Sequence, residues 1–387
     1  MKITWVTRSF LDYRIPVYEE LNRLCGNQLT VIYYHDVVPE SCSKNLDNII
    51  GERAVGLTGE MRVTGKKSQP LSSTKKRRLR IPLQPGLISK TVETKPDVML
   101  SDGFFQWSYS PLWLRSVKKI PHVMCYEATM HTERNTGLLR TWYRKLAAKY
   151  IDCIVCNGKL CSEYVKSIGY PTSNITLGNM AADTSGLQTS INAYSKDERA
   201  GLKSKLKLNS YVFLFVGRLV QLKGVSNLIQ AWSKVFDGNQ DVSLLIVGDG
   251  PEFVSLKEIT LKHRLKNVHF TGKVNYEEIY KYFSVADNFI IPTLQDNWSL
   301  VVPEAMSCGL PVLCSKYNGC WPELVKPENG WVFDPLDTND FVSTLDEAWK
   351  NREQWEEMGK QSLNIIKDHT PEKVAKSIYE ACLAVKK

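Results

Sequence analysis

Residues 211–224 read YVFLFVGRLVQLKG. The first six are apolar in succession and rich in β-branched and aromatic side chains, which makes a strand buried on both faces. Gly217 ends it, and an amphipathic helix runs on from Gly224 to about Phe236. A strand, a glycine-flanked turn and a helix N-terminus converge backbone N–H groups and the positive end of a helix dipole on one point. Arg218 and Lys223 add two full positive charges there. Such a turn suits an anion of the nucleoside diphosphate kind, whose charge on departure needs a preorganised cationic clamp. Two solvated loop cations would leave the same trace, so the rest of the chain has to decide.

The same rhythm of short apolar run and amphipathic stretch extends both ways. Strands are expected at 242–247, 268–270, 288–291 and 311–314 downstream, and at 3–7, 29–34, 97–101, 122–126 and 151–156 upstream. Helices are expected at 15–24, 138–149 and 371–385. This alternation is that of an α/β protein with mostly parallel sheets. A chain of 387 residues exceeds one ordinary core, so two sizeable domains are expected. The polar stretch 182–209 reads as their connection. The expected domains are 1–190 and 191–370, with the helix in 371–387 packing back on the first.

Hydrophobic residues make 43% and charged residues 24% of the chain, a globular balance that excludes disordered and fibrous classes. No run of about 18 apolar residues occurs, and the first residues lack a signal-peptide core, so a cytoplasmic location is expected. The ten cysteines include Cys153, Cys156, Cys308 and Cys314 inside apolar segments, as buried reduced thiols would be. Cys153 and Cys156 sit three apart on a strand, facing opposite sides, and no second pair stands at zinc spacing. No metal site and no cofactor are therefore expected.

The net charge of +9 has a single source. Arg62, Lys66, Lys67, Lys75, Lys76, Arg77, Arg78, Arg80 and Lys90 lie in 61–90 with no acid among them, and they account for the whole excess. Residues 58–90 read as a long basic loop. Through residues 62–90 it suits an anionic membrane surface, at about 1 kcal/mol for each engaged cation. A peripheral position on the inner face of the cell membrane and a lipid-linked acceptor follow as expectations. Aromatic residues that would stack bases are not interleaved with the cations, which argues against nucleic acid.

A second chemistry-bearing stretch follows the strand at 288–291. Asp296 precedes a helix-like run at 300–308, and Glu304 lies about 7 Å further along it. That reach is comparable to the span from a sugar ring to the ribose of its nucleotide. Carboxylates suit both ends because sugar and ribose hydroxyls donate charge-assisted hydrogen bonds to them. A helix-surface acid and a loop acid are the plain alternatives.

These residues carry a resemblance. The pieces Phe215-Val-Gly-Arg-Leu with Lys223-Gly224, Ile246-Val-Gly-Asp-Gly-Pro-Glu252, Val268-His-Phe-Thr-Gly272, the segment from Asp296 through Glu304 to Val312, and Asn318-Gly-Cys-Trp-Pro-Glu-Leu-Val325 with Asn329-Gly330 occur in order. Together they resemble the donor domain of retaining glycosyltransferase family 4, the group 1 glycosyltransferases. The resemblance implies the GT-B fold, two Rossmann-like, doubly wound parallel-sheet domains facing across a cleft. It also implies metal-independent transfer of a hexose-class sugar with retention. The chain has no D-x-D pair, Walker loop or G-x-S-x-G elbow.

By resemblance Arg218 and Lys223 bind the donor phosphates, Glu304 the ribose and Asp296 the transferred sugar. Gly217, Gly248, Asn297, Trp298, Ser299 and Leu300 complete the donor contacts. The family pattern usually has Glu where Asp296 stands and Phe-Gly where Trp298 and Ser299 stand, so the sugar preference is expected to depart there. On the acceptor side, Arg14, Glu127 and His131 are the candidates. The acceptor expected is a glycan or a polyprenyl- or lipid-linked one, in cell-surface polysaccharide or glycolipid synthesis. Two other readings stay open on the same fold: a nucleotide-sugar epimerase, and a non-catalytic sugar-nucleotide-binding protein.

Overall fold

The computed structural model describes residues 1–62, 82–178, 180–182 and 184–386. The chain divides into two compact units, Met1–Met180 with Pro371–Lys387, and Ala181–Thr370.

The first unit contains strands β1 (Ile3–Val6), β2 (Leu29–Tyr34), β3 (Ala54–Leu57), β4 (Met61–Arg62), β5 (Pro82–Leu83), β6 (Val98–Asp102), β7 (His122–Tyr126), β8 (Cys153–Cys156) and β9 (Ile175–Leu177). Its helices before the crossing are α1 (Ile15–Leu24), α2 (Glu40–Ile50), α3 (Leu87–Glu93), α4 (Tyr109–Lys118), α5 (Leu138–Ala148) and α6 (Lys159–Ser167). Seven strands form one sheet in the order β3-β2-β1-β6-β7-β8-β9, every pairing within it parallel. β1, β7 and β8 are buried throughout, as strands covered on both faces must be.

The second unit opens with α7 (Ser185–Ala193) and α8 (Lys196–Lys205). It then runs β10 (Tyr211–Val216), α9 (Val225–Val235), β11 (Val242–Val247), α10 (Phe253–Lys262), β12 (Val268–Gly272), α11 (Ile279–Phe283), β13 (Asn288–Ile291), α12 (Val301–Ser307), β14 (Val312–Ser315), α13 (Trp321–Leu324), β15 (Gly330–Phe333), α14 (Thr338–Lys350) and α15 (Trp355–Ile366). Its six strands are all parallel, in the order β12-β11-β10-β13-β14-β15. Helix α16 (Pro371–Val385) then returns to the first unit, packing on α1 and β8. Its buried residues Val374, Ala375, Ile378, Ala381 and Cys382 recur at helical spacing, and the Ser377 hydroxyl donates to the Leu177 carbonyl at 2.6 Å.

Three expectations change. The stretch 182–209 holds two helices: α8 is started by a capping box in which Ser195 and Glu198 satisfy each other's backbone N–H groups. α7 packs on α11 and α12, so the division falls at 180/181 and not at 190/191. Residues 58–90 are not all loop, since β4 and β5 pair antiparallel and α3 begins at Leu87. Of the basic cluster, Lys66, Lys67, Lys75, Lys76, Arg77, Arg78 and Arg80 lie outside the described residues. Lys90 pairs with Glu93 at 3.0 Å.

The ten cysteines are free thiols, nine of them buried. No helix among the described residues is long and apolar enough to cross a membrane.

Candidate functional site

In the second unit the chain leaves β10 toward β11 and β12 on one side, and runs through β13 to β14 and β15 on the other. The strand order therefore reverses between β10 and β13, and in such sheets ligands bind at the carboxyl ends of the strands at that point. Gly224 lets the two loops meet there: its φ is +68°, and a Cβ on it would lie 2.0 Å from the Pro292 carbonyl oxygen. The Leu222 carbonyl accepts from the Leu294 N–H at 2.8 Å and from the Thr293 hydroxyl at 2.9 Å.

This lacing brings Lys223 onto Asp296, with Nζ 2.5 Å from Oδ2. Asp296 also accepts from the Ser299 hydroxyl at 2.6 Å and from the Trp298 N–H at 3.2 Å. Its own backbone is tied to the turn at 317–319, through Asp296 N–H to the Tyr317 carbonyl and Gly319 N–H to the Asp296 carbonyl. From that turn Asn318 accepts the Ser299 N–H at 3.3 Å. Asn297 Oδ1, Trp298 Nε1 and Asn318 Nδ2 are buried without a hydrogen-bond partner among the described residues. Three polar groups that are costly to bury unpaired thus lie on Asn297 and Trp298, directly after Asp296, and on Asn318 of the turn bonded to it.

Arg218, Gly217, Gly248 and Glu304 line a pocket of about 420 Å³, together with Lys273 and Tyr276. That volume lies in the range of small-molecule sites. Gly248 forms a wall that only glycine allows, because a Cβ on it would lie 1.9 Å from the Gly217 carbonyl oxygen and its φ is +141°. Glu304 is the fourth residue of α12, one turn past Leu300 at the N-cap. Burial lifts its carboxyl to about pH 7, opposed by the hydrogen bond it accepts from the Tyr276 hydroxyl at 3.2 Å.

The expected donor residues therefore fall into two groups. Gly217, Arg218, Gly248 and Glu304 share the pocket, while Lys223, Asp296, Trp298 and Ser299 form a bonded cluster on the segment leading into α12. Lys273, Tyr276 and Asn318 escaped the sequence reading. Lys273 directly follows the Val268–Gly272 match, and Asn318 opens another, so both lay within reach of it. Tyr276 carried no pattern of its own.

In the first unit the strand order reverses between β1 and β6. Arg14, just before α1, turns inward and is buried, its guanidinium 5.4 Å from the Trp5 ring centre and 5.7 Å from that of Tyr13. It pairs with Asp102 at the end of β6 at 3.8 Å. The Asp102 carboxyl is raised by burial, against the lowering charge of Arg14. Burial likewise raises Tyr13, and the charges of Glu127 and Asp102 add to the rise against Arg14. Arg14, Glu127 and the unforeseen Asp102 thus act on one tyrosine. His131 lies in the turn beyond Glu127, its carbonyl accepting from Arg134 at 2.5 Å. His122 is structural: it is fully buried, bonded through Nε2 to the Ser101 hydroxyl at 2.8 Å, and burial lowers it to about pH 4.

Two parallel-sheet units of this kind define the GT-B fold, and solved structures agree. The Anabaena protein Alr3699/HepE, crystallised with UDP, superposes with a TM-score of 0.74 at 17% identity, covering 99% of this chain and all of that one. The lipopolysaccharide outer core galactosyltransferase WaaB superposes at 0.68 and 14% identity, over 99% of both chains. Residues 198–364 match the family Glycosyl transferases group 1.

Among curated relatives, the sulfoquinovosyl transferase SQD2 of Arabidopsis thaliana is 24% identical over 352 residues, spanning 87% of this chain and 63% of that protein. The GPI3 subunit of the phosphatidylinositol N-acetylglucosaminyltransferase of Saccharomyces cerevisiae is 25% identical over 218 residues, spanning 55% of this chain and 46% of that protein. The chain therefore covers less than two thirds of the length of either relative.

Proposed function

We propose that the protein is a retaining, metal-independent hexosyltransferase that moves a sugar from a nucleotide donor onto a glycan or a polyprenyl- or lipid-linked acceptor, in glycolipid or cell-surface polysaccharide synthesis. The observation that carries it is the pocket at the carboxyl end of β10, where Arg218 and Lys273 stand with Glu304 on a scaffold of glycine-bounded turns. Two cations and a carboxylate in one crevice match the two polar ends of a nucleoside diphosphate, its phosphates and its ribose diol. The names of the relatives favour a lipid acceptor, since one of them acts on phosphatidylinositol. UDP in the Anabaena structure favours a nucleoside diphosphate leaving group.

In this reading Arg218 and Lys223 hold the diphosphate, and Glu304 accepts from the ribose hydroxyls after Tyr276 releases it. The sugar lies against Asp296, where Trp298 Nε1, Asn297 Oδ1 and Asn318 Nδ2 offer a donor, an acceptor and a donor to its hydroxyls. Ser299 binds Asp296 through a hydroxyl that a glycine at this position would lack, which shapes the sugar preference. Arg14, Glu127 and His131 serve the acceptor. The acceptor oxygen bonds to the anomeric carbon on the face from which the diphosphate leaves. The C–O bond to phosphate breaks with its electron pair, and the acceptor proton passes to the departing phosphate oxygen. Product made from a defined donor keeps the anomeric configuration, read from proton coupling by NMR; inversion rejects this mechanism.

Glu304 gives the site a pH signature. Its folded carboxyl titrates near 7, and only the ionised form accepts from both ribose hydroxyls, so binding expels the proton. Affinity for the nucleoside diphosphate accordingly rises by about tenfold between pH 6 and pH 8. Calorimetric titration across that range measures it. Glu304→Gln removes this component and leaves only the ionisation of the ligand's own phosphate.

A further inference from the structure

Helix α5 is built inside out. Its sequence, LLRTWYRKLAA, places Leu138, Leu139, Trp142 and Leu146 within an arc of roughly 100°. A stripe of that width ordinarily faces the core. Here it faces outward: Leu138 is 90% exposed, Leu139 79%, Trp142 64% and Leu146 41%. The side turned to the sheet instead carries Arg144, only 2% exposed, whose guanidinium pairs with Glu133 at 2.8 Å and donates to the Tyr164 hydroxyl at 2.5 Å. Arg140 and Arg144 both lie over the Phe105 ring. Ala147 in the core, with Tyr143 and Ala148 packed against it, and these charged and aromatic contacts fix the helix to its domain, and that fixing holds its leucines and tryptophan in solvent.

The surroundings of the stripe are basic. Of the cations in 134–150, Arg134, Lys145 and Lys149 are exposed, and no acid lies in that stretch. Exposed Lys145 borders the stripe, and exposed Lys149 continues it at the C-terminal end of the helix. α4 precedes β7 and α5 follows it; with right-handed crossovers both lie on one face of the sheet. α4 adds exposed Trp113 and Val117, beside the exposed Lys118 and Lys119 and again without an acid. Leucine and tryptophan bordered by lysine, on a short helix lying along a domain, are the composition of a surface that settles into the headgroup boundary of a bilayer. A second copy of this chain would set the like charges of two basic faces against each other. An anionic lipid surface neutralises them.

We propose that the outward stripe of α5, with Trp113 and Val117 of α4, is the surface by which the protein lies on an anionic membrane. This deepens the lipid-acceptor reading above and rests on it only for its biological purpose, since the surface is argued from α4 and α5 alone.

The test is co-sedimentation of the full chain with vesicles of phosphatidylcholine, with and without phosphatidylglycerol. Wild type sediments with the anionic vesicles, and added salt weakens the binding. The triple variant Leu138→Gln, Leu139→Gln, Trp142→Gln loses more than about a hundredfold in affinity. Lys145→Glu with Lys149→Glu loses about tenfold or more on anionic vesicles. Trp142→Phe together with Trp113→Phe removes the part of the fluorescence that bromine-labelled lipid quenches. The proposal is overturned if wild type ignores anionic vesicles, if the triple variant binds as wild type does, or if the stripe instead supports a concentration-dependent dimer that the triple variant dissolves. Nucleoside diphosphate binding is measured on the same samples. Wild type that ignores anionic vesicles yet binds nucleotide rejects this surface alone; wild type that binds vesicles but no nucleotide rejects the donor reading and leaves the surface standing.

Discussion

Lys223→Ala lowers the transfer rate by about 10²–10³-fold, equivalent to about 3–4 kcal/mol of barrier. The Lys223 ammonium rests 2.5 Å from Asp296. It stands in the turn after β10, at the point where the strand order reverses. A cation already positioned there by Asp296 needs little reorganisation when negative charge grows on the departing diphosphate, which is the condition for stabilising a transition state more than a ground state. The loss therefore falls mainly on kcat, with a smaller rise in KM. Steady-state kinetics of the variant measure the split. A lysine that merely balances Asp296 makes a different prediction: adding Asp296→Asn to Lys223→Ala would then restore activity, because no unpaired carboxylate would remain. The donor-site reading expects the double variant to be no faster than the single one.

Gly248→Ala disrupts the pocket that Arg218 and Glu304 line. The new methyl group meets the Gly217 carbonyl oxygen at 1.9 Å, a backbone atom that cannot rotate away, and a φ of +141° is foreign to alanine. Gly248 also donates its N–H to the Gly272 carbonyl at 3.1 Å, next to a register shift between β11 and β12. Relief thus requires moving three loop backbones together. We expect a destabilisation of about 3 kcal/mol. That lowers the melting temperature of the second unit by roughly 6–12 °C and abolishes binding of the nucleoside diphosphate. Differential scanning calorimetry and titration of the same sample record both. Gly201→Ala is the control: its Cβ meets nothing within 4 Å in an exposed helix, so it leaves the melting temperature unchanged or slightly raised.

The parts of this molecule that the sequence discloses are those whose signal is local. The strands at 211–216, 242–247 and 288–291 show as unbroken apolar runs because both faces of a parallel sheet are covered, and Gly217 and Gly224 mark where the backbone must turn. Helix α8 was missed as connecting chain because nothing in it is buried. Its one readable sign was the Ser195-x-x-Glu198 capping box. β15 escaped because four residues, Gly330–Phe333, with two of them buried, make too short a pattern.

Arg218, Lys223, Asp296 and Glu304 were picked out by residue type at the ends of readable elements, and the structure places Arg218 and Glu304 in one pocket and Lys223 on Asp296. Their partners were not picked out. Lys273, Tyr276 and Asn318 reach the same region from other strands, and only the order of strands in the sheet says which loops meet. The pairing of Lys223 with Asp296 is of this kind, since 73 residues separate them. Arg144 and α5 show the reverse case: the helical period correctly gave a helix, while the side that faces the sheet was decided by Glu133, Phe105 and Tyr164 and ran against the period's usual meaning.

Calorimetric titration of the wild-type chain with UDP, GDP and ADP at pH 8, repeated on Arg218→Ala and Glu304→Gln, bears most directly on the donor site. One of the three nucleotides binds wild type, and each substitution weakens that binding by about tenfold or more, as the loss of a charge-assisted contact in a pocket requires. Failure of all three to bind, or binding that neither substitution alters, would contradict the assignment of this pocket to a nucleotide donor.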